Sequence, residues 1–192
     1  MIPALPRSSQ RTGIELKETL THLQSKGPEE RILWATKKFP GQALATTSFG
    51  AQSAAFLHLL TRTAPEIPVV FIDTGYHFPE TLDFSRELTT KLRLNLKIYR
   101  PLATPEEIES RHGRLWEEGP AGLEKFHEII RVEPLRRALT ELNPKVWLAG
   151  LRRSGSEHRQ KQTVLSRQDS RLKLLPILDW SDREVGTYLK TH

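Results

Sequence analysis

The 192-residue chain contains no cysteine. Disulfides, thiolate zinc sites and iron–sulfur clusters are therefore excluded within these residues. The N-terminal MIPALPRSSQ lacks the apolar core of a signal peptide, and no apolar run approaches the ~20 residues of a membrane-spanning helix. A cytoplasmic protein with no membrane partner is the expectation. None of the seven histidines stands at helical ligand spacing from another histidine or a suitable carboxylate motif, so no metal site is expected. His58 reads as a core or helix-edge residue. Internal repeats and low-complexity segments are also missing.

What is present is ordinary for a globular chain, with 37% hydrophobic and 27% charged residues and a length that suits one full domain. The net charge of +6 is unevenly spread. Between Leu151 and Lys173 stand seven basic residues (Arg152, Arg153, Arg159, Lys161, Arg167, Arg171, Lys173) against two acidic ones, Glu157 and Asp169. Such a stretch fits an anionic partner, either a multiply charged small molecule or nucleic acid, or else a solvated basic loop. No aromatic residue lies within it to stack bases, which favours the small ligand and no nucleic acid. Trp116, Trp147 and Trp180 are expected to pack in the core or at interfaces.

The pattern predicts an N-terminal helical cap over residues 1–40, with helices at Ile14 to Ser25 and Pro28 to Lys38, and an α/β domain over 41–192, which the resemblance described below implies is nucleotide-binding. From Pro40-Gly41 onward strands and helices alternate. Strands are expected at the start of Gln42 to Leu60, at Ile67 to Ile72, Asn95 to Tyr99 and Lys145 to Ala149, with another at Leu172 to Leu178. Helices are expected after the first turn and at Phe78 to Leu92, from the Thr104 cap, and at Leu123 to Ile130, Glu133 to Leu142 and Asp182 to Lys190. Gly113 to Gly122 reads as a loop over the sheet. The fold class is α/β, a doubly wound, mainly parallel sheet.

In such sheets ligands bind beyond the carboxyl ends of strands. Three polar, glycine-containing turns stand there: Thr47-Ser48-Phe49-Gly50, Asp73-Thr74-Gly75, and Gly150-Leu151-Arg152-Arg153. The first leads into a helix whose N-terminus would aim free N–H groups and partial positive charge at an anion, with Gly50 letting the backbone approach closely. An ordinary strand-to-helix turn would also carry Ser and Gly. The pattern is neither the P-loop nor the three-glycine dinucleotide turn.

The segments TSFGAQSA (47–54), FIDTGYHFPETLDF (71–84), RVEPLRRAL (131–139), WLAGLRR (147–153) and LPILDW (175–180) resemble, in order and spacing, the 3′-phosphoadenylyl-sulfate (PAPS) reductase family. The resemblance runs from about Gly27 to the last residue. It implies the adenine-nucleotide α-hydrolase type of fold. It implies that Thr47, Ser48, Phe49 and Gly50 cradle the sulfated phosphate and that Asp73, Thr74 and Gly75 line the nucleotide pocket, although Asp73 could equally be a strand-end cap. Arg131 stands where the family usually has Lys, which keeps the charge but changes a point donor into a fork. Gly150, Arg152, Arg153 and Arg159 would complete the substrate-binding set, with guanidinium forks matched to phosphate or sulfate oxygens.

Departures from the family pattern sharpen the reading. Ser48 to Ser53, S-F-G-A-Q-S, lacks the aspartate of the S-G-G-x-D-S loop of ATP pyrophosphatases, which argues against a magnesium-ATP-cleaving enzyme such as an ATP-sulfurylase subunit. Phe126-His127 stands where adenylyl-sulfate reductases place a cysteine pair for an iron–sulfur cluster, so the cluster-free branch is implied, with no resident cofactor. Arg152 to Arg159 reads R-R-S-G-S-E-H-R in place of R-R-E-Q-S-G-S-R, which alters the loop around Ser154 to His158. The family's nucleophile is a cysteine in a C-terminal E-C-G-x-H segment. Its thiolate attacks the sulfate sulfur, releases adenosine 3′,5′-bisphosphate, and is regenerated by thioredoxin with loss of sulfite. These residues have no such cysteine, so no catalytic residue is assigned among them. A C-terminal truncation is the expectation, with a natural binding-only paralogue as the alternative. A homodimer is an open expectation that the sequence does not fix.

Overall fold

The computed structural model describes residues 7–155 and 157–192. Ser156, part of the altered R-R-S-G-S-E-H-R segment, lies outside the described residues. The elements in chain order are helices α1 (Arg7–Gln24) and α2 (Pro28–Lys38), strand β1 (Ala43–Thr47), helix α3 (Ser53–Thr63), strand β2 (Val69–Ile72), helix α4 (Pro79–Leu92) and strand β3 (Leu96–Tyr99). There follow helices α5 (Pro105–His112), α6 (Gly119–His127) and α7 (Glu133–Leu142), strand β4 (Val146–Ala149), the short helix α8 (Glu157–Gln160), strands β5 (Leu165–Gln168) and β6 (Arg171–Leu174), and helix α9 (Asp182–Thr191). Among these helices, none is long and apolar enough to cross a membrane.

The six strands form a mainly parallel sheet, as the alternating pattern predicts. By internal contacts the chain divides into two compact units, one of residues 44–144 and one that joins the N-terminal residues up to 43 with 145–192.

In the 44–144 unit the order is β3-β2-β1, all parallel, with Ala45 opposite Val69 and Val69 opposite Leu96. Helix α3 buries Ala55, Phe56, Leu57, Leu59 and Leu60. That apolar face is the small-residue pattern of the sequence, and each large side chain removed from water contributes about 1.5 to 3 kcal/mol. Helix α5 starts where its sequence requires. Thr104 accepts the Glu107 N–H at 3.3 Å, the Glu107 carboxylate accepts the Thr104 N–H at 2.9 Å, and Pro105 occupies the first turn, where its missing N–H costs nothing. A second apolar cluster gathers Ile108, Leu115, Phe126 and Ile130, flanked by Tyr76 and Ile129. The segment expected to be a loop, Gly113 to Gly122, instead contains a 3-10 turn at Leu115–Glu117 and the beginning of α6. Gly122 permits this, since a Cβ there would lie 2.3 Å from the Leu115 carbonyl oxygen.

In the other unit β4 pairs β6 in parallel and β6 pairs β5 as an antiparallel hairpin. The hairpin turns at Asp169, whose φ of +53° suits an aspartate better than a bulky residue. The expected strand at Leu172 to Leu178 is shorter than its apolar run, because the chain turns after Leu174 and buries Leu175, Ile177 and Leu178 in the turn. Strand β5 was not expected at all. On the sheet Lys173 lies 4.7 Å above the Trp147 ring, and burial pushes its ammonium pKa down.

The first helix begins at Arg7 rather than Ile14, since residues 7–13 carry little apolar periodicity to announce it. Its end is fixed by Arg31 of α2, which is only 1% exposed. The Arg31 guanidinium donates to the carbonyls of Leu23 at 3.0 Å and Pro176 at 2.7 Å, and forms a fork onto both Asp179 carboxylate oxygens at 2.7 Å. A buried cation survives only with such a complete set of acceptors.

Replacing Arg31 by alanine therefore exposes several unsatisfied acceptors and is expected to cost about 3 kcal/mol of stability, measured by urea denaturation. Arg31 holds the Asp179 carboxyl below its ordinary range. The stability so gained is present above the unfolded pKa of about 3.9 and is lost as pH falls through the lower folded value. Asp179→Asn should be less stable than the parent at pH 7, and the difference should shrink at the acid end. A constant difference across that range would show that Asp179 acts only by shape.

Candidate nucleotide site

Both turns of the 44–144 unit lock themselves with their own side chains. Beyond β1, the Thr47 hydroxyl accepts the Phe49 N–H at 3.1 Å, and Ser53 donates its N–H to the Gly50 carbonyl at 2.8 Å. The left-handed residue of this turn is Phe49, with φ +49°, and not Gly50. Gly50 has open space where a Cβ would stand, its nearest contact being the Ser48 hydroxyl at 3.9 Å. The permissiveness that the sequence credits to glycine is thus supplied by strain at Phe49, of about 1 to 3 kcal/mol. Phe49 is held there by burial and by an edge-to-face contact with Phe71, ring centroids 5.0 Å apart. Ser48 and Gly50 remain exposed beside the start of α3. The Ser53 hydroxyl in the first turn of α3 is shielded from solvent and has no hydrogen-bond partner among the described residues.

Beyond β2, the Asp73 carboxylate accepts the Gly75 N–H at 3.3 Å and the Arg100 Nε at 2.9 Å, while its own N–H donates to the Tyr99 carbonyl. Asp73 thus has the strand-end capping geometry that the sequence left open. Thr74 is buried and its hydroxyl accepts the Tyr76 N–H at 3.2 Å. Gly75 is obligatory here, since its φ is +79° and a Cβ would stand 2.7 Å from the Pro105 ring. His77, which the motif reading passed over, contacts the Ile72 carbonyl through Nε2 at 3.0 Å and stacks on Phe71 at 5.1 Å. Its ring sits between the strand end and the aromatic pair. Burial raises the Tyr76 hydroxyl pKa, with Glu109 adding to the effect. Arg131 is exposed on a helical turn between α6 and α7.

In the other unit the turn after β4 carries Gly150, Arg152 and Arg153. Arg152 is buried and engaged. Its guanidinium donates to the Ser154 hydroxyl at 3.0 Å and the Trp180 carbonyl at 3.5 Å, and pairs with Asp182 at 2.8 Å. Asp182 opens α9, whose Ser181–Glu184 capping box closes the same corner. Arg153 donates its N–H to the Leu178 carbonyl at 2.9 Å and leaves a half-buried side chain. Arg159 is half-buried in α8. The basic stretch is therefore not one loop. Arg167 and Arg171 belong to the β5–β6 hairpin. Among the described residues no group of three or more His, Asp and Glu could hold a metal ion.

Self-locked turns at parallel strand ends, one opening a helix, can seat a phosphate-sized anion through backbone N–H groups. Arginines supply charge without supplying a nucleophile. Similarity to known proteins narrows this chemistry. The family model described as the phosphoadenosine phosphosulfate reductase domain matches residues 42–192. A phosphoadenosine 5′-phosphosulfate reductase of Xylella fastidiosa (strain M12) is 46% identical over 192 residues, covering all of this chain and 79% of the relative. One from Xanthomonas campestris pv. campestris (strain B100) is 50% identical over 171 residues, covering 89% of this chain and 71% of the relative. Among solved structures, the phosphoadenylyl-sulfate (PAPS) reductase of Candida auris, a phosphate complex, superposes with a TM-score of 0.79 at 28% identity, over the whole of this chain and 89% of that one. The NH3-dependent NAD synthetase of Campylobacter jejuni, TM-score 0.58 and 18% identical over 90% of this chain and 72% of its own, shares the fold alone. With matching motifs, an α/β sheet of the adenine-nucleotide α-hydrolase type and relatives named for one activity, the chain belongs to the phosphoadenosine phosphosulfate reductase family.

Proposed function

We propose that these residues form the nucleotide-binding part of a thioredoxin-dependent PAPS reductase of sulfate assimilation, taking PAPS and its product adenosine 3′,5′-bisphosphate. The observation that carries this reading is the turn Thr47–Gly50, whose strained Phe49 and partnerless Ser53 hydroxyl stand at the start of α3. A buried hydroxyl without a partner costs about 1 to 3 kcal/mol, and an anion's oxygen would recover it. Thr47, Ser48, Phe49 and Gly50 take the sulfated phosphate in this reading, Asp73, Thr74 and Gly75 shape the nucleotide pocket, and Gly150, Arg131, Arg153 and Arg159 answer the ligand's negative charge. Arg152 holds the corner on which Arg153 stands, and serves the ligand through that corner. The S-sulfonated thiol is supplied by a cysteine outside these residues, reduced by thioredoxin, and no metal or cluster takes part. A cytoplasmic homodimer is consistent with this reading.

Two measurements test it. Given PAPS, thioredoxin and reductant, these residues should release no sulfite while binding adenosine 3′,5′-bisphosphate in calorimetric titration. Sulfite production by these residues alone would overturn the thiolate mechanism, and failure to bind the bisphosphate would overturn the site. Arg153→Ala should weaken binding by roughly tenfold to a hundredfold with an unchanged melting temperature, as loss of one charge-assisted contact does. Arg152→Ala should weaken binding and also lower the melting temperature, because it removes a buried side chain that donates to the Ser154 hydroxyl and the Trp180 carbonyl. Arg167→Ala/Arg171→Ala should leave bisphosphate affinity unchanged; a loss there would move the anion site onto the hairpin.

A further inference from the structure

The helical stretch from Gly119 to Leu142 carries one residue more than an α-helix accommodates. Between α6 and α7, Glu128–Val132 forms a π turn, in which the Glu133 N–H bonds to the Glu128 carbonyl five residues back. The sequence supplies a cause. Pro134 has no N–H, and in an unbroken α-helix its ring would collide with the Ile130 carbonyl four residues earlier.

Two independent observations depend on the extra residue. The buried positions Gly122, Phe126, Ile130, Pro134 and Ala138 recur at every fourth residue. At about 100° per residue, such a row in a regular helix drifts about 40° per step and about 160° in all, which carries its end to the solvent side. Absorbing one residue takes back about 100°, and the row stays on one face. The second observation is the Glu128–Arg136 ion pair, 2.8 Å long and spanning eight residues. In a regular α-helix these side chains would leave the axis about 80° apart, whereas the π turn reduces this to about 20°. The pair is a clasp whose two side chains leave the same side of the helix in the π register.

We infer that Pro134 is a positioning residue for Arg131: by enforcing the π turn it sets the direction in which the Arg131 side chain leaves the helix. Arg131 lies inside the turn, between buried Ile130 and exposed Val132. Losing the π register would rotate it by up to about 100° against one of its flanking helices. The inference rests on the reading of Arg131 as part of the nucleotide site. It adds a residue that touches no ligand and acts through another.

The experiment is calorimetric titration with adenosine 3′,5′-bisphosphate of the parent, Arg131→Ala, Pro134→Ala, the double variant and Arg136→Ala, with amide exchange read over 126–138. Arg131→Ala should weaken binding about tenfold. Pro134→Ala, titrated well below its melting point, should weaken it to a similar degree, and should lower the melting temperature because the regained α register turns the end of the buried row off its common face. The double variant should bind no more weakly than Arg131→Ala alone, because the two act through one group. The backbone amide that Pro134→Ala introduces should exchange slowly, bonded to the Ile130 carbonyl in the regained α register. Arg136→Ala opens the clasp on an exposed surface and should cost about threefold; it decides the matter if Pro134→Ala does not fold. Full affinity in Pro134→Ala, or in Arg136→Ala in that case, overturns the inference and leaves the site intact. So do losses that multiply in the double variant. Unchanged affinity in Arg131→Ala removes Arg131 from the site and overturns the reading on which the inference stands.

Discussion

A guanidinium that is 1% exposed imposes its needs on everything near it. Arg31 satisfies those needs from two separated parts of the sequence, the end of α1 and the turn 176–179. The same turn offers the Leu178 carbonyl to the Arg153 N–H, and its next residue offers the Trp180 carbonyl to Arg152. The shape of the basic corner is thus tied through backbone carbonyls to the Arg31 cluster. Desolvating an arginine is costly, and the half-exposed Asp179 offsets only part of that, so the arrangement is better understood as fixing a unique geometry than as adding net stability.

The 44–144 unit solves a different problem with smaller means. Its turns after β1 and β2 hold their backbone geometry with their own side chains. Thr47, Asp73 and Thr74 each tie one N–H of their own turn. At the helix start the Ser53 hydroxyl is buried without a hydrogen-bond partner among the described residues. Strain at Phe49 is sustained by burial of its ring, so a core contact maintains a surface turn.

Much of this was legible in the sequence. The strand–turn–helix at 42–60, the DTG turn and the alternation of strands with helices follow from apolar runs broken by polar, glycine-bearing turns, and their boundaries fall within a few residues of expectation. Strand β5 was hidden because L-S-R-Q sits in a basic stretch that resembles a solvated loop. Arg152 reads as a ligand arginine in the sequence, which does not show that Asp182, thirty residues on, pairs with it. Arg31 was invisible among the charged residues of P-E-E-R-I-L-W, where a surface helix is the simplest reading. The π turn left a trace, the four-residue recurrence of buried positions, but helical periods of 3.6 and 4 differ too little over two short helices to separate beforehand.

The discontinuous unit also has a consequence in time. The acceptors Pro176 and Asp179 leave the ribosome 145 and 148 residues after Arg31. At roughly 5 to 20 residues per second, translation leaves this cation waiting for roughly 7 to 30 seconds. Residues 44–144 are contiguous and can assemble meanwhile from their own contacts. The N-terminal helices cannot, and until the last strand pair and its turn leave the ribosome their apolar sides and the Arg31 head group are open to solvent or to a chaperone. Of the two units, the one whose halves flank the other in sequence is thus the later to be completed.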